Sequence, residues 1–233
     1  MRIVALSDQH GFLPEVPPCD LLLVAGDVCP DRLGTLFAGD HPDRQKAWFN
    51  DHARPWLAGA PAAHRILTWG NHDWCGQVCS FKADSPAAAS STGLQILVDA
   101  GTTVPGAGGR KISIWATPWS RAFNRWAFMK SPAGLAEVYA AIPAGIDVLV
   151  SHQPPYGHGD RFAHASTGEI EHLGSPELLA AIGRVRPRLV ICGHFHGGFG
   201  RFEYDGIPIW NVSVVNEDYQ LVRPPTVVDV ADW

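Results

Sequence analysis

Short apolar runs, each halted by polar residues or glycine, recur along the chain at residues 3–6, 21–25, 66–68, 112–115, 148–150 and 189–192. Runs this brief and this rich in Val, Ile and Leu predict buried strands. Between them the period changes. Leu135, Val138, Tyr139 and Ile142 fall at i, i+3, i+4 and i+7, one face of a helix. A second helix is expected from Ser175 as N-cap and Pro176 at the first helical position, with Leu178, Leu179, Ile182 and Val185 on one face. Strands alternating with helices predict an α/β fold. In the tail, residues 199–204, 207–212 and 226–230 read as strands with no helix between them, the first two joined as a hairpin through Asp205-Gly206. Glycine and proline gather in connections, notably residues 105–109 and 154–159. The stretch Ala87-Ala88-Ala89-Ser90-Ser91 is a loop or a helix end rather than a domain linker, and no internal repeat is present.

With 233 residues, 46% of them hydrophobic and 18% charged, the chain can bury one large core, and residues 1–233 are expected to form one domain. A net charge of −5 gives no basic face for the sequence-independent grip on a phosphate backbone, which disfavours long nucleic acid as partner. The first apolar run is too short for a secretory signal and meets Asp8 at once, and no segment matches a membrane span of roughly 20 apolar residues. Five cysteines (Cys19, Cys29, Cys75, Cys79 and Cys192), an odd number without a secretion signal, predict no disulfide framework. A cytoplasmic location is the expectation. The C-x-x-x-C spacing of Cys75 and Cys79 lacks a second pair to complete a zinc site, so packing is expected of them and of Cys29 and Cys192.

The polar residues stand where chemistry needs them. Asp8 and His10 follow the first strand, Asp27 the second, Asn71 and His72 the third, His152 the run ending at Val150, and His194 and His196 the run ending at Cys192. In open α/β sheets, ligands bind at that C-terminal edge. Carboxylate, imidazole and amide oxygen together suit borderline divalent metals such as Mn, Fe, Zn or Ni, with manganese the first expectation. Two neighbouring metals need a shared anionic ligand, and Asp27 is the candidate to bridge them. Such a pair acidifies a trapped water and clamps the oxygens of an in-line displacement, which is the chemistry of phosphate-ester hydrolysis. Any one of these histidines alone would more often be structural; the ordered set reverses those odds.

Asp8-Gln9-His10, Gly26-Asp27, Gly70-Asn71-His72-Asp73, Ser151-His152 and Gly193-His194-Phe195-His196 resemble the five ordered motifs of the calcineurin-like metallophosphoesterases and span most of the chain. The resemblance implies a four-layer α/β/β/α sandwich of two mixed sheets flanked by helices. It also implies one metal on Asp8, His10, Asp27 and His196 and the other on Asp27, Asn71, His152 and His194. His72 would then be no ligand but would face the substrate, stabilising the transition state or protonating the leaving oxygen, with Asp73 to orient it. A narrower similarity, to the MPPED-type branch associated with phosphodiester and cyclic-nucleotide hydrolysis, rests on Thr117-Pro118-Trp119, residues 151–157, Asn211-Val212-Ser213, Asn216, Tyr219, Pro224 and Pro225. Phosphoprotein phosphatases place Asp three residues after the bridging Asp and Arg after the Gly-Asn-His-Glu motif. Here Asp31 stands four residues after Asp27 and Trp74 follows Asp73, which removes the dianion clamp unless Arg32 replaces it.

The expected activity is hydrolysis of small phosphodiesters, cyclic-nucleotide-like ones among them, by a metal-bridging hydroxide. A phosphomonoesterase and a nuclease of short or single strands are the alternatives within that chemistry, and a catalytically inactive metal-holding binding module is the alternative of another class. Trp69, Trp74 and Trp119 are candidates to wall a pocket for a nucleobase, and His158 lies close enough after His152 to reach a substrate.

Overall fold

The computed structural model describes residues 1–79, 93–164 and 167–230. The expected loop or helix end at residues 87–91 lies outside the described residues. Eleven strands build two mixed sheets. The first contains β1 (Arg2–Leu6), β2 (Cys19–Ala25), β3 (Ala62–Thr68), β4 (Leu94–Ile96) and, at the far end of the chain, the strand Thr226–Asp229. The second contains β5 (Ala100–Pro105), β6 (Lys111–Thr117), β7 (Val148–Ser151), β8 (Leu189–Cys192), β9 (Gly200–Tyr204) and β10 (Ile207–Asn211). With Thr226–Asp229 as β11, the orders are β11-β1-β2-β3-β4 and β9-β10-β8-β7-β6-β5. Only β11, β5 and β9 run antiparallel to their neighbours.

Alternate side chains of each strand serve two different cores, which is why the runs read as continuously apolar. Ile3, Ala5, Leu21, Leu23 and Ile66 face inward and meet Ile112, Ile114, Val148, Val150, Leu189 and Ile191 of the second sheet. Val4, Leu22, Val24 and Leu67 face outward against Phe49, Ala53 and Leu57. Those three come from a helical stretch comprising α1 (Pro42–Trp48), a π-helical turn at Phe49–Ala53, and α2 (Arg54–Gly59). A short helix α3, Trp74–Val78, adds Cys75 to this outer layer. On the other side Leu149, Val190, Cys192, Ile207 and Ile209 pack on α4 (Pro132–Ala140) and α5 (Pro176–Val185) through Leu135, Tyr139, Leu178, Ile182 and Val185. Three cores between four layers give the expected α/β/β/α sandwich.

Ser175 caps α5 as expected, its Oγ accepting from the Leu178 amide at 3.1 Å, and the helix ends at left-handed Arg186. The tail hairpin also forms: Asp205 (φ 49°) and Gly206 (φ 78°) supply the two positive φ angles of a type I′ turn. The tail divides between the sheets, however. β10 pairs parallel with β8 in the second sheet, whereas β11 crosses back to pair antiparallel with β1 in the first. Among the described residues, no helix is long and apolar enough to cross a membrane.

Candidate active site

The parallel strands of both sheets end at one edge, and backbone bonds stitch those ends together. The Ser7 amide donates to the Val212 carbonyl (3.1 Å), and the Val214 amide to the Ser7 carbonyl (3.1 Å). Within the sheets the Asp8 amide reaches the Gly26 carbonyl (3.0 Å), the His10 amide the Asp27 carbonyl (2.9 Å), and the Gly193 amide the His152 carbonyl (2.9 Å). The loops leaving these strands turn abruptly. Asp8 (φ 58°), His10 (φ 44°), Asp27 (φ 53°) and His194 (φ 71°) all take the left-handed conformation, an unfavourable geometry that concentrates where function requires it. Close approach also dictates glycine. A Cβ on Gly70 would lie 2.2 Å from Asp27 Oδ1, and one on Gly193 would lie 2.1 Å from Ser7 Oγ.

All seven expected ligands come together here. Asp8, His10 and His196 each offer one atom within 4.8 Å of the others, and so do Asp27, His152 and His194. Asn71 joins the second group through its Oδ1, 2.9 Å from His152 Nε2. Asp27 Oδ2 lies between the groups, 3.2 Å from His152 Nε2 and 4.0 Å from His10 Nε2. The outward ring nitrogens are already committed: His152 Nδ1 donates to the Ala25 carbonyl (2.8 Å) and His196 Nδ1 to the Asn216 carbonyl (3.0 Å). These bonds fix the rings with Nε2 turned inward, the outer-shell arrangement that metal-binding imidazoles require. Asp8 is positioned by the Ser7 hydroxyl (2.5 Å) and the His194 amide (3.0 Å), and Asp27 Oδ1 by the His72 amide (2.8 Å).

The electrostatics of the cluster suit cations. Burial drives His10 down to about 4 and His194 down to about 3, which keeps their nitrogen lone pairs free. Burial acts the same way on His152, but the Asp27 charge and hydrogen bond override it and raise the ring to about 9. For Asp8, burial pushes the carboxyl up, and the His196 hydrogen bond and charge, aided by His152, hold it at about 2. Two buried carboxylates thus demand positive charge, while two buried imidazoles refuse protons. A divalent cation satisfies both conditions, so the donor set fits metal.

His72 sits beside this cluster, its Nε2 4.0 Å from Asp27 Oδ2. Its orientation corrects one expectation. Asp73 does not hold the His72 ring, because both its oxygens accept from backbone amides: Cys29 at 2.9 Å, Gly70 at 2.9 Å and Val28 at 3.3 Å. The carboxylate on His72 Nδ1 is Asp31, at 2.5 Å. Gln45 completes the clamp on this loop by donating to the His72 carbonyl (2.8 Å) and accepting from the Cys75 amide (2.9 Å).

The aromatic wall also differs from expectation. Trp69 is buried against Phe49, and Trp119 packs on Phe128 with its indole N–H on Asp99. The ring lying on His72 is Trp126 (centroids 4.1 Å apart, 31° tilt), backed by Trp74 at 6.2 Å. Phe123, 45% exposed, stands 6.0 Å from His194, and Tyr219 meets His10, His196 and His72. His158 bonds the Tyr156 carbonyl and abuts Tyr204, and Arg32 is exposed in a short hairpin. The cysteines pack, with Cys29 and Cys75 sulfurs 3.9 Å apart in the outer core and Cys192 in the core beneath α4 and α5.

A strand edge that gathers aspartates, histidines and an asparagine in this order defines a metal-dependent phosphoester hydrolase, and the chain belongs to the calcineurin-like phosphoesterase family, whose model matches residues 1–198. Among its relatives is metallophosphoesterase domain-containing protein 1 of Homo sapiens, 30% identical over 98% of this chain and 71% of that protein; the Mus musculus protein of the same name matches equally. A Caenorhabditis elegans relative is 26% identical over 99% of this chain and 60% of its own length. A solved crystal structure superposes with a TM-score of 0.50 at 12% identity, covering 90% of this chain and 89% of that one, a likeness of fold alone.

Proposed function

We propose that this chain is a binuclear phosphodiesterase acting on small phosphodiesters. One observation carries the reading: Asp8, His10 and His196, and likewise Asp27, His152 and His194, are compact enough for one ion each, and Asp27 Oδ2 of the second group lies 4.0 Å from His10 Nε2 of the first. In this reading Asp8, His10, Asp27 and His196 hold one divalent ion, and Asp27, Asn71, His152 and His194 hold the other. The pair supplies Lewis acidity to the phosphoryl oxygens and acidifies water.

The remaining work falls to the chain's own groups. His72, fixed through Nδ1 by Asp31, points Nε2 toward the ligand cluster and is placed to donate a proton to the departing oxygen. Asp73 and Gln45 keep that loop from moving by occupying its backbone groups. Among the described residues, no lysine or arginine pairs with Asp8, Asp27 or Asp31. A singly charged diester therefore suits the centre better than a monoester dianion, which needs added cationic side chains. Trp126, Phe123 and Tyr219 give the opening an apolar rim compatible with an organic substituent such as a nucleobase.

Metal-stripped protein re-supplied in turn with manganese, zinc, iron or nickel tests the proposal, using an aryl phosphodiester and its monoester counterpart as substrates. Restored diester turnover is expected. A preference for the monoester would make the chain a phosphatase, and absence of turnover with every metal would leave only a binding module.

A further inference from the structure

The turn at residues 216–220 supplies no ligand, yet it holds the site at two points. The Asn216 carbonyl accepts from His196 Nδ1 (3.0 Å), which orients a ligand of the first ion. The same carbonyl accepts from the Tyr219 amide (2.9 Å), and the Asn216 side-chain oxygen accepts from the amides of Asp218 (3.1 Å) and Gln220 (2.9 Å). This closed turn forces Tyr219 to φ 59°, a left-handed conformation that a bulky side chain adopts only when its surroundings impose it. That backbone sets the direction in which the Tyr219 side chain leaves the turn. The ring centroid lies 4.6 Å from His10, 5.0 Å from His196 and 6.2 Å from His72, so one phenol touches a ligand group and the proposed proton donor together.

Packing alone does not account for this placement. Tyr219 is 43% exposed although its ring abuts three largely buried imidazoles, so part of the residue remains open to an incoming molecule. Among the described residues, no hydrogen bond engages its hydroxyl. We propose that Tyr219 is a substrate-contacting residue whose hydroxyl donates a hydrogen bond to a non-bridging phosphoryl oxygen over the His10 and His196 half of the centre. The inference rests on the phosphoester reading above. A neutral donor fixed by its backbone suits an oxygen on which negative charge builds, because it need not reorganise as the charge develops.

Tyr219→Phe keeps the ring and removes only the donor. The metal-loaded variant and the parent protein are to be compared in kcat/KM for an aryl phosphodiester, in calorimetric Kd for inorganic phosphate, in metal content and in melting temperature. The expected result is a kcat/KM lower by about 10- to 100-fold, of the order seen when one transition-state donor is removed. Phosphate binding should weaken by about tenfold, with metal content and melting temperature unchanged. Both quantities within about twofold of the parent would overturn the proposal, as would loss of metal from the variant, which would make the phenol a packing element. Should the parent hydrolyse no diester at all, the diester reading fails, and phosphate affinity alone decides the role of Tyr219.

Discussion

Asp31 takes the part on His72 that sequence position suggests for Asp73, and mutation separates it from the ligands. Replacing Asp31 by Asn leaves His72 without its anionic partner at 2.5 Å. Turnover should fall by about 10²- to 10⁴-fold, as when a general acid is lost, while both ions stay bound. His72→Ala should match it, with the greatest slowing for poor leaving groups; an undiminished rate in both would remove His72 from the chemistry. Asp27→Ala should behave differently. Its Oδ2 lies within 4.0 Å of nitrogen atoms from both ligand groups, so elemental analysis should show metal lost along with activity. The candidate ligands were legible because each ends a strand, a one-dimensional signal. Asp31, Tyr219 and Trp126 were not legible as partners of His72, because 41, 147 and 54 positions of sequence separation close only in the folded chain. A carboxylate beside a Gly-Asn-His motif gives no hint that backbone amides will claim it first.

The secondary structure was legible wherever local chemistry is strong. Ser175-Pro176 announces α5, and Ser175→Ala should cost about 1 kcal/mol in denaturant unfolding, the usual value of an N-cap, with turnover unaffected. A destabilisation below a few tenths of a kcal/mol would mean that packing alone holds this end. Elements with mixed signals escaped sequence reading. β5, Ala100–Pro105, contains glycine and two threonines and ends in proline, and it forms as an edge strand because β6 offers a free ladder. The helical stretch from Pro42 to Gly59 contains a proline at each helix start and a π-helical turn between, which breaks the 3.6-residue period from which helices are read. Its existence depends on Phe49, Ala53 and Leu57 covering the first sheet.

Across the molecule, function and stability occupy opposite ends of the strands. At the end remote from the ligands, Asp147 Oδ2 accepts from the Ser113 amide and hydroxyl, both at 2.9 Å; its other oxygen pairs with Arg110, and its backbone carbonyl takes the Arg188 and Leu189 amides. Three strands are tied at one residue. Burial would raise this carboxyl, but the Ser113 bonds and the Arg110 and Arg188 charges hold it below its ordinary value of 3.8. The depressed folded value means that its stabilisation is complete above about pH 4 and disappears as pH falls through the lower folded value. Asp147→Asn should therefore cost about 1–3 kcal/mol near pH 7, the range for an impaired buried partner. The gap to the parent should shrink in unfolding curves taken from about pH 4 downward, and a gap independent of pH would exclude the ionised carboxylate as its source. The placement of β11 has a further consequence, in time rather than in space. β1 is hydrogen-bonded on one side to β2 and on the other to β11, whose residue 229 pairs with residue 2. As the ribosome extends the nascent chain, the strand that leads to Asp8 and His10 must wait with one edge bare until residues 226–229 have emerged, a long-range closure of the kind that slows folding. Of the ladders in the two sheets, the one between β1 and β11 is thus the last to become possible during synthesis.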